Sequence, residues 1–312
     1  MPPTATVATK HQANSRQFES VVCNLCGCND SRLLYVKRGM NTDLDFNVVR
    51  CKSCGLLYVN PRLNSAAVRD LYDVSYFSTR FSNGDIGRFT SGKVLCRGLK
   101  QLVSRSTNDP LTLLDVGGGV GTLVRAASEE GFRAELVDIS DSAIQIAQQR
   151  GILGYRGELG DRYFDGRSYD VITALEVVEH CYDPKSFFRR VYELLRPGGV
   201  FFYTTGNADE TTLYGSRWSY FGEIPYHVYF YSSRTIRMYL EGAGFREFLD
   251  PYQFILNDCD LGIRILSKLG IIDPEKDTSP YSLLAKLGYR HAFRLAASLV
   301  GRLKHPIAKK ST

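Results

Sequence analysis

Residues 111–257 alternate short aliphatic and β-branched runs with longer stretches in which apolar positions recur at helical spacing. The runs LTLLDV, AELVDI, YDVITAL, VFFYTTG and YQFILN read as strands. Between them, VGTLVRAASEEG is a helical pattern that ends at Gly131, a residue suited to a helix stop. A second helix follows Ser140 or Asp141, either of which can cap it. A third opens near Asp183-Pro184, where proline suits the first turn, and stops at LLRPGG. SRTIRMYLEGAGF supplies a fourth helix and its stop. This alternation predicts an α/β fold with a parallel sheet covered by helices on both faces.

The flanking zones differ in pattern. Residues 1–20 form a leader expected to be disordered, and residues 21–60 hold paired cysteines among short apolar runs and glycine turns. Residues 61–105 connect, with helical stretches around Leu63–Leu71 and Val94–Val103. The sheet-forming domain is expected over 106–260, and a basic helical extension over 261–312.

Composition narrows the class. Hydrophobic residues make up 44% and charged residues 23% of 312, as in ordinary globular domains. No run approaches the roughly 18 apolar residues of a membrane span, and the first 20 residues lack a secretory apolar core. A cytoplasmic location is the expectation. The net charge of +6 is concentrated at the end: from Leu261 onward ten Lys and Arg face three acids. Within residues 290–307, Ala292, Leu295, Ala296, Leu299, Val300, Leu303 and Ile307 fall on one side of a helix, with Arg290, Arg294 and Lys304 on the other. Such a helix either docks on the protein's own core or makes peripheral contact with an anionic membrane.

The first strand-to-helix corner reads Asp115-Val-Gly117-Gly118-Gly119-Val-Gly121. Glycines there let backbone approach a ligand beside a helix N-terminus. Thr122 stands where the dinucleotide fingerprint requires glycine, so a pyrophosphate ligand does not fit the spacing. Asp138 ends the second strand, where a carboxylate can accept both hydroxyls of a ribose. Glu158 follows the third strand, and Tyr169-Asp-Val-Ile-Thr-Ala-Leu-Glu-Val-Val-Glu-His180 and Leu195-Arg-Pro-Gly-Gly199 come after it. In order and spacing these pieces resemble the motifs of the Rossmann-like class I S-adenosylmethionine-dependent methyltransferases. The resemblance covers about half the chain. It implies S-adenosylmethionine as cofactor, bound by Asp115, Gly117, Gly118, Gly119, Gly121, Asp138, Ile139, Glu158, Leu159 and Leu175. In that family the acid at the place of Glu158 meets the adenine amino group, and Leu159 lies beside the ring.

Cys23-x-x-Cys26-Gly and Cys51-x-x-Cys54-Gly are two matching knuckles separated by 24 residues. Four thiolates make a closed tetrahedral Zn2+ site of structural type, a zinc-ribbon-like module. About 40 residues cannot bury enough core alone, so the metal supplies the missing stability. Cys28 lies outside the pattern, and Cys96, Cys181 and Cys259 are scattered thiols. Together with Asn60-Pro61-Arg62, Leu71-Tyr72 and Tyr76-Phe77, the module resembles that of methyltransferases of bacterial sugar, polysaccharide and natural-product pathways.

Methyl transfer requires alignment of a nucleophile and removal of its proton. Two places offer the groups. Glu176-x-x-Glu179-His180 follows the fourth strand and would share one helical face; it reads equally as a helix start, with a divalent ion held by the acids as a further, weaker option. The second is 206–231, where eight of the eighteen residues from Tyr214 to Tyr231 are aromatic and Pro225-Tyr226-His227 lies among them. Those rings either stack on an acceptor or form a packed cap. Imidazole ordinarily titrates near neutral pH, so His227 is the first candidate base, with His180 and Glu179 in reserve. The expected acceptor is a small, sugar-like molecule bearing a hydroxyl or carbon nucleophile. An RNA methyltransferase with a zinc finger is the rival; the module lacks a basic patch, so no nucleic acid partner is expected. A scaffold without catalysis is a third reading, against which the intact glycine loop and its acids speak.

Overall fold

The computed structural model describes residues 17–71, 85–103, 109–249 and 307–311. At the N-terminus, β1 (Phe18–Glu19) precedes a hairpin of β2 (Ser31–Arg38) and β3 (Asp45–Cys51), followed by β4 (Leu57–Val59) and β5 (Arg62–Leu63). β1 pairs antiparallel with β5, so Phe18 and Glu19 belong to the fold and not to the leader assigned to residues 1–20. The pairing is reinforced by Arg62, whose Nε lies 2.8 Å from the Glu19 carboxylate. Beyond β5, α1 (Ser65–Leu71) and α2 (Asp85–Leu102) form the expected connecting helices.

The sheet domain opens with β6 (Thr112–Val116), α3 (Thr122–Glu129), β7 (Arg133–Asp138), α4 (Asp141–Gln149) and β8 (Gly154–Arg156). It continues with β9 (Tyr169–Leu175), α5 (Pro184–Leu194), β10 (Leu195–Thr204), the short α6 (Thr211–Tyr214), β11 (Tyr229–Phe230), α7 (Ser233–Ala243) and β12 (Glu247–Leu249). Local chemistry sets the helix ends. The Ser140 hydroxyl caps α4 by accepting the Ala143 amide at 3.2 Å, Asp183 caps α5, and Gly244 closes α7 in a left-handed conformation. The strands are buried on both faces: in β9 Val171, Ile172 and Ala174 are inaccessible, and in β10 Phe201 and Phe202 point to opposite faces and are both buried. Each such Phe is worth about 1.5–3 kcal/mol of burial.

The seven-stranded sheet runs β12-β13-β10-β9-β6-β7-β8, with β13 (Ile307–Lys309) antiparallel to both its neighbours. It is a Rossmann-like sheet with helices on its faces. Here the sequence expectation is corrected. Residues 261–312 were expected to be helical, yet their end supplies a strand inside the sheet, and Ile307, assigned to an amphipathic helix, lies in it. Ile307 and Ala308 are inaccessible because β10 and β12 close on either side. Lys310 does not project its charge away: its Nζ donates to the carbonyls of Tyr192 and Leu195 at 3.0 and 2.9 Å, at the end of α5. The expected strand at YQFILN and the membrane-facing helix over 290–306 lie outside the described residues. Among the described residues no helix is long and apolar enough to cross a membrane.

A second correction concerns the cysteine module. It is not closed at 21–60: its four-stranded sheet has the order β11-β4-β3-β2, and its fourth strand comes from Tyr229–Phe230 of the aromatic segment. Three short strands leave the β4 edge unpaired, and β11 covers it.

The placement of β13 has a direct test. Ala308→Asp would bury an uncompensated carboxylate in the sheet and is expected to cost at least about 3 kcal/mol of stability in urea unfolding. A variant as stable as the parent would remove residues 307–309 from the sheet.

Candidate functional site

The glycine corner is shaped by what lies against it. Gly117 has φ +66°, and a Cβ there would sit 2.5 Å from a Val177 methyl. A Cβ on Gly118 would strike Leu136 at 2.8 Å and the Asp115 carboxylate at 2.9 Å. The backbone can therefore come this close to its neighbours only without side chains. The Gly119 amide donates to Asp138 Oδ2 at 2.9 Å, and the Ser140 amide donates to Asp138 Oδ1 at 2.8 Å. Gly121 forms the N-cap of α3. Each Asp138 oxygen keeps a further lone pair for a hydroxyl donor.

Asp115 lies beneath this loop, buried, with Oδ1 accepting the Thr173 hydroxyl at 2.7 Å. Burial pushes its carboxyl up to about 7; the Thr173 hydrogen bond opposes that, and the charge of Asp138 adds to it. Burial raises Asp138 as well. Two carboxylates under one loop make a pocket that favours a cation and repels pyrophosphate. Ile139, next to Asp138, is half exposed although apolar. Glu158 is exposed and near the end of β8, its amide donating to Asp161 Oδ2 at 2.9 Å. Leu159 packs into the core, and Leu175 is half-buried at the end of β9. The donor set fits S-adenosylmethionine: paired acceptors for a ribose diol, an apolar side chain beside them, and negative charge for an ammonium and a sulfonium.

The second part of the site follows β9. Glu176, Glu179 and His180 do not share one helical face as expected. Glu176 has φ +58°, which ends the strand, and only Val178–His180 make a single 3-10 turn. The Glu176 carboxylate accepts the Tyr220 hydroxyl, while Glu179 and His180 turn toward His227. His227 Nε2 lies 3.9 Å from Glu179 Oε1 and 3.4 Å from Glu223 Oε2, and the two imidazoles meet edge to face at 4.7 Å. His227 Nδ1 is 3.0 Å from the Tyr220 carbonyl, and His180 Nδ1 is 3.1 Å from the Tyr226 carbonyl. A carbonyl only accepts, so both Nδ1 atoms carry a proton, and Nε2 is the nitrogen each ring has left for other partners. The rival candidates from sequence thus form one site.

Two of its members, Tyr220 and Glu223, were not singled out from sequence. Tyr220 stacks on His227 at 5.2 Å. The aromatic run around them reads as a uniform cluster, which hides which rings do what. Most of those rings pack: Trp218, Phe221, Tyr226, Tyr229, Phe230 and Tyr231 are buried, and the Trp218 indole donates to Glu210 at 2.9 Å. Of the two readings of this run, the packed cap is the one that describes these rings.

The four thiols of Cys23, Cys26, Cys51 and Cys54 form a third cluster, all within 4.8 Å of one another, and are not bridged by disulfides. Cys23–Cys54 and Cys26–Cys51 are each separated by 3.5 Å, against the roughly 3.8 Å edge of a tetrahedral thiolate site. The two knuckles are copies: the Gly27 and Gly55 amides donate back to the Cys23 and Cys51 carbonyls at 2.8 and 3.0 Å. Burial opposes ionisation of the cluster and raises the Cys23 and Cys54 thiols, whereas at Cys51 the amides of Cys54 and Ser53 outweigh it and draw the thiol down to about 7. Cys28 stands apart, taking the Asp30 amide at 3.4 Å.

A family model for the methyltransferase domain matches residues 88–247, half of the chain. The chain belongs to this methyltransferase-domain family. Curated relatives of the domain include the ubiquinone biosynthesis O-methyltransferases of Caulobacter vibrioides, 33% identical over 126 residues, and of Paramagnetospirillum magneticum, 35% identical over 102 residues. Those matches cover 38% and 31% of this chain, and 50% and 41% of the relatives. The chain thus spans half or less of the length of these curated relatives. Among solved structures, the magnesium protoporphyrin IX methyltransferase of Synechocystis matches with a TM-score of 0.43 at 18% identity, over 60% of this chain and 89% of that one. In fold and cofactor class the methyltransferase domain is of the class I, S-adenosylmethionine-dependent kind.

The raised value of Asp115 gives binding a pH dependence. A cationic ligand at the loop favours the carboxylate, so affinity for S-adenosylmethionine is expected to fall about tenfold per unit as pH drops below about 7. The free protein is expected to follow the opposite trend: a buried acid with a raised value favours folding at low pH, and that contribution is lost as pH rises through about 7. Calorimetry from pH 5.5 to 8.5 on wild type and Asp115→Asn checks this, with the variant expected to be weak and flat. A flat wild-type profile would take Asp115 out of the binding reaction.

Proposed function

We propose that the protein transfers the methyl group of S-adenosylmethionine to a hydroxyl, or an acidic carbon, of a small sugar-like acceptor. The observation that carries the reading is the cluster of Glu179, His180 and His227, which begins two residues after Val177, the side chain packed against the glycine loop. The relatives named as O-methyltransferases support an oxygen nucleophile, and the cysteine module's resemblance to those of sugar-pathway enzymes supports the acceptor class.

Bound S-adenosylmethionine supplies an already activated methyl group on a sulfonium. The chain's own task is to hold the acceptor in line and take its proton. Asp138 and the loop amides orient the cofactor end. The Glu179–His180–His227 cluster faces the acceptor, and the carboxylates of Glu179 and Glu223 offset any positive charge that develops there. Alignment supplies most of the rate, and proton removal adds about 10²–10⁴-fold.

The cysteine cluster is proposed to hold one structural zinc. Its donor set is closed, and its sheet carries β11, two residues from His227. Zinc is expected in the purified, reduced protein and lost from Cys51→Ser, which should unfold the N-terminal sheet. Zinc absent from folded wild type rejects the assignment.

One variant tests the reaction. His227→Ala is expected to leave S-adenosylmethionine affinity intact and lower turnover about 10²–10⁴-fold on a hydroxylated acceptor. Small, parallel losses of melting temperature and turnover would assign His227 to packing instead.

A further inference from the structure

We infer that Glu179, His180 and His227 are the ligands of a divalent transition-metal ion that binds the acceptor oxygen. This deepens the proposed methyl transfer and rests on it.

The argument starts from the rings. One donor atom from each of the three residues lies within 4.8 Å of the other two. Both histidines donate Nδ1–H to a main-chain carbonyl, Tyr220 for His227 and Tyr226 for His180. That is the outer-shell arrangement that fixes a metal-binding imidazole, setting its tautomer and leaving Nε2 as the ligand atom. The carbonyls belong to the same short segment, so the two rings cannot reorient independently. Glu179 is 1% exposed and presents its carboxylate to His227 Nε2 at 3.9 Å. Buried charge is retained in proteins where it is paired or coordinates a metal. A cation among these groups would draw them inward by a few tenths of an ångström to about 2.0–2.2 Å from itself.

The donor set selects the ion. Two imidazole nitrogens with one carboxylate suit Zn2+, Mn2+, Fe2+ or Co2+, whereas Mg2+ and Ca2+ demand oxygen ligands. Three protein ligands leave positions open, as in catalytic sites, while the four-thiol cluster leaves none. A hydroxyl of the acceptor taking an open position would ionise more readily. Its proton passes to Glu223, whose carboxylate lies 3.4 Å from His227 Nε2 and whose side chain is 29% exposed, so it can return the proton to water. The resulting oxyanion forms the new C–O bond as the C–S bond of the sulfonium breaks; the electron pair stays on sulfur as a thioether. The ion changes neither charge nor oxidation state.

The test uses the full-length protein carrying a single zinc per chain, in its thiol site, titrated with Mn2+ and followed by electron paramagnetic resonance. Mn2+ is a poor match for thiolates, so it reports on the nitrogen and oxygen site. One Mn2+ is expected per wild-type chain, not displaced by equimolar Mg2+. Glu179→Gln, which keeps the shape of the buried side chain, and His227→Ala should each weaken it by more than about tenfold, since losing even an outer-shell partner costs about 10–100-fold. Wild type that binds no Mn2+, or variants that bind it as tightly as wild type, overturns the assignment. Activity separates the two readings. Protein freed of Mn2+ that keeps full turnover, while His227→Ala has lost it, overturns the metal and leaves methyl transfer through the cluster standing. A fully active His227→Ala overturns both.

Discussion

The site depends on one short piece of strand pairing. Tyr229 and Phe230 lie opposite Tyr58 and Leu57, and the Val59 amide donates to the Val228 carbonyl at 3.0 Å. On its other side the Val228 amide donates to the Glu179 carbonyl at 2.9 Å. Residue 228 is thus held between the cysteine-bearing sheet and the turn after β9. His227, one residue earlier, has no latitude to drift from Glu179. Without β4 as a partner, β11 would be two residues of extended chain with nothing to pair against, and a pair of strands this short is not stable alone.

Arg62 pins the same junction. It is buried, ion-paired with Glu19, hydrogen-bonded to the Tyr229 hydroxyl at 3.2 Å, and stacked over the Tyr182 ring at 4.3 Å. An Arg in that environment is tolerable because its planar fork meets several acceptors at once and its face meets a π-system. Asn24 adds a second tie, donating to Asp183 at 3.0 Å and accepting from the Tyr239 hydroxyl at 3.1 Å. Cys23, Cys51 and Cys54 share a hydrophobic core with Leu114, Ile172 and Phe201 of the central sheet. The N-terminal region is therefore part of the architecture that holds the His227 segment, and not an appendage.

What was legible in the sequence follows from range. Helix caps at Ser140 and Asp183 and the stop at Gly244 are set within four residues, so they could be read directly. The strands from β6 to β10 could be read because burial on both faces leaves little choice of residue. β13 could not: its three residues gain their place from two distant strands, and the lysines beside Ile307 and Ala308 disguise it. The aromatic run left two readings open for a related reason, since a ring that packs under a sheet and a ring that stacks on a ligand have the same composition. His180 and His227 were read as competitors because 46 residues of sequence separate them; only the fold brings their rings to 4.7 Å.

The turn from Glu176 to His180 links the glycine loop to the Glu179–His180–His227 cluster, and its backbone shows how that is achieved. Val177 fills the space that a side chain on Gly117 would take, so the glycine loop and this turn must be shaped together. Glu176 sits in a left-handed conformation that costs a non-glycine residue about 1 kcal/mol or more. Its amide donates to the Thr204 carbonyl at 2.9 Å and its carboxylate accepts the Tyr220 hydroxyl, so the strained geometry is fixed from both β10 and the aromatic segment. A helix continuing β9 would have carried Glu179 onto its outer face. The reversal at Glu176 instead sets Val177 against the glycine loop, and a buried carboxylate and two imidazoles gather just beyond it.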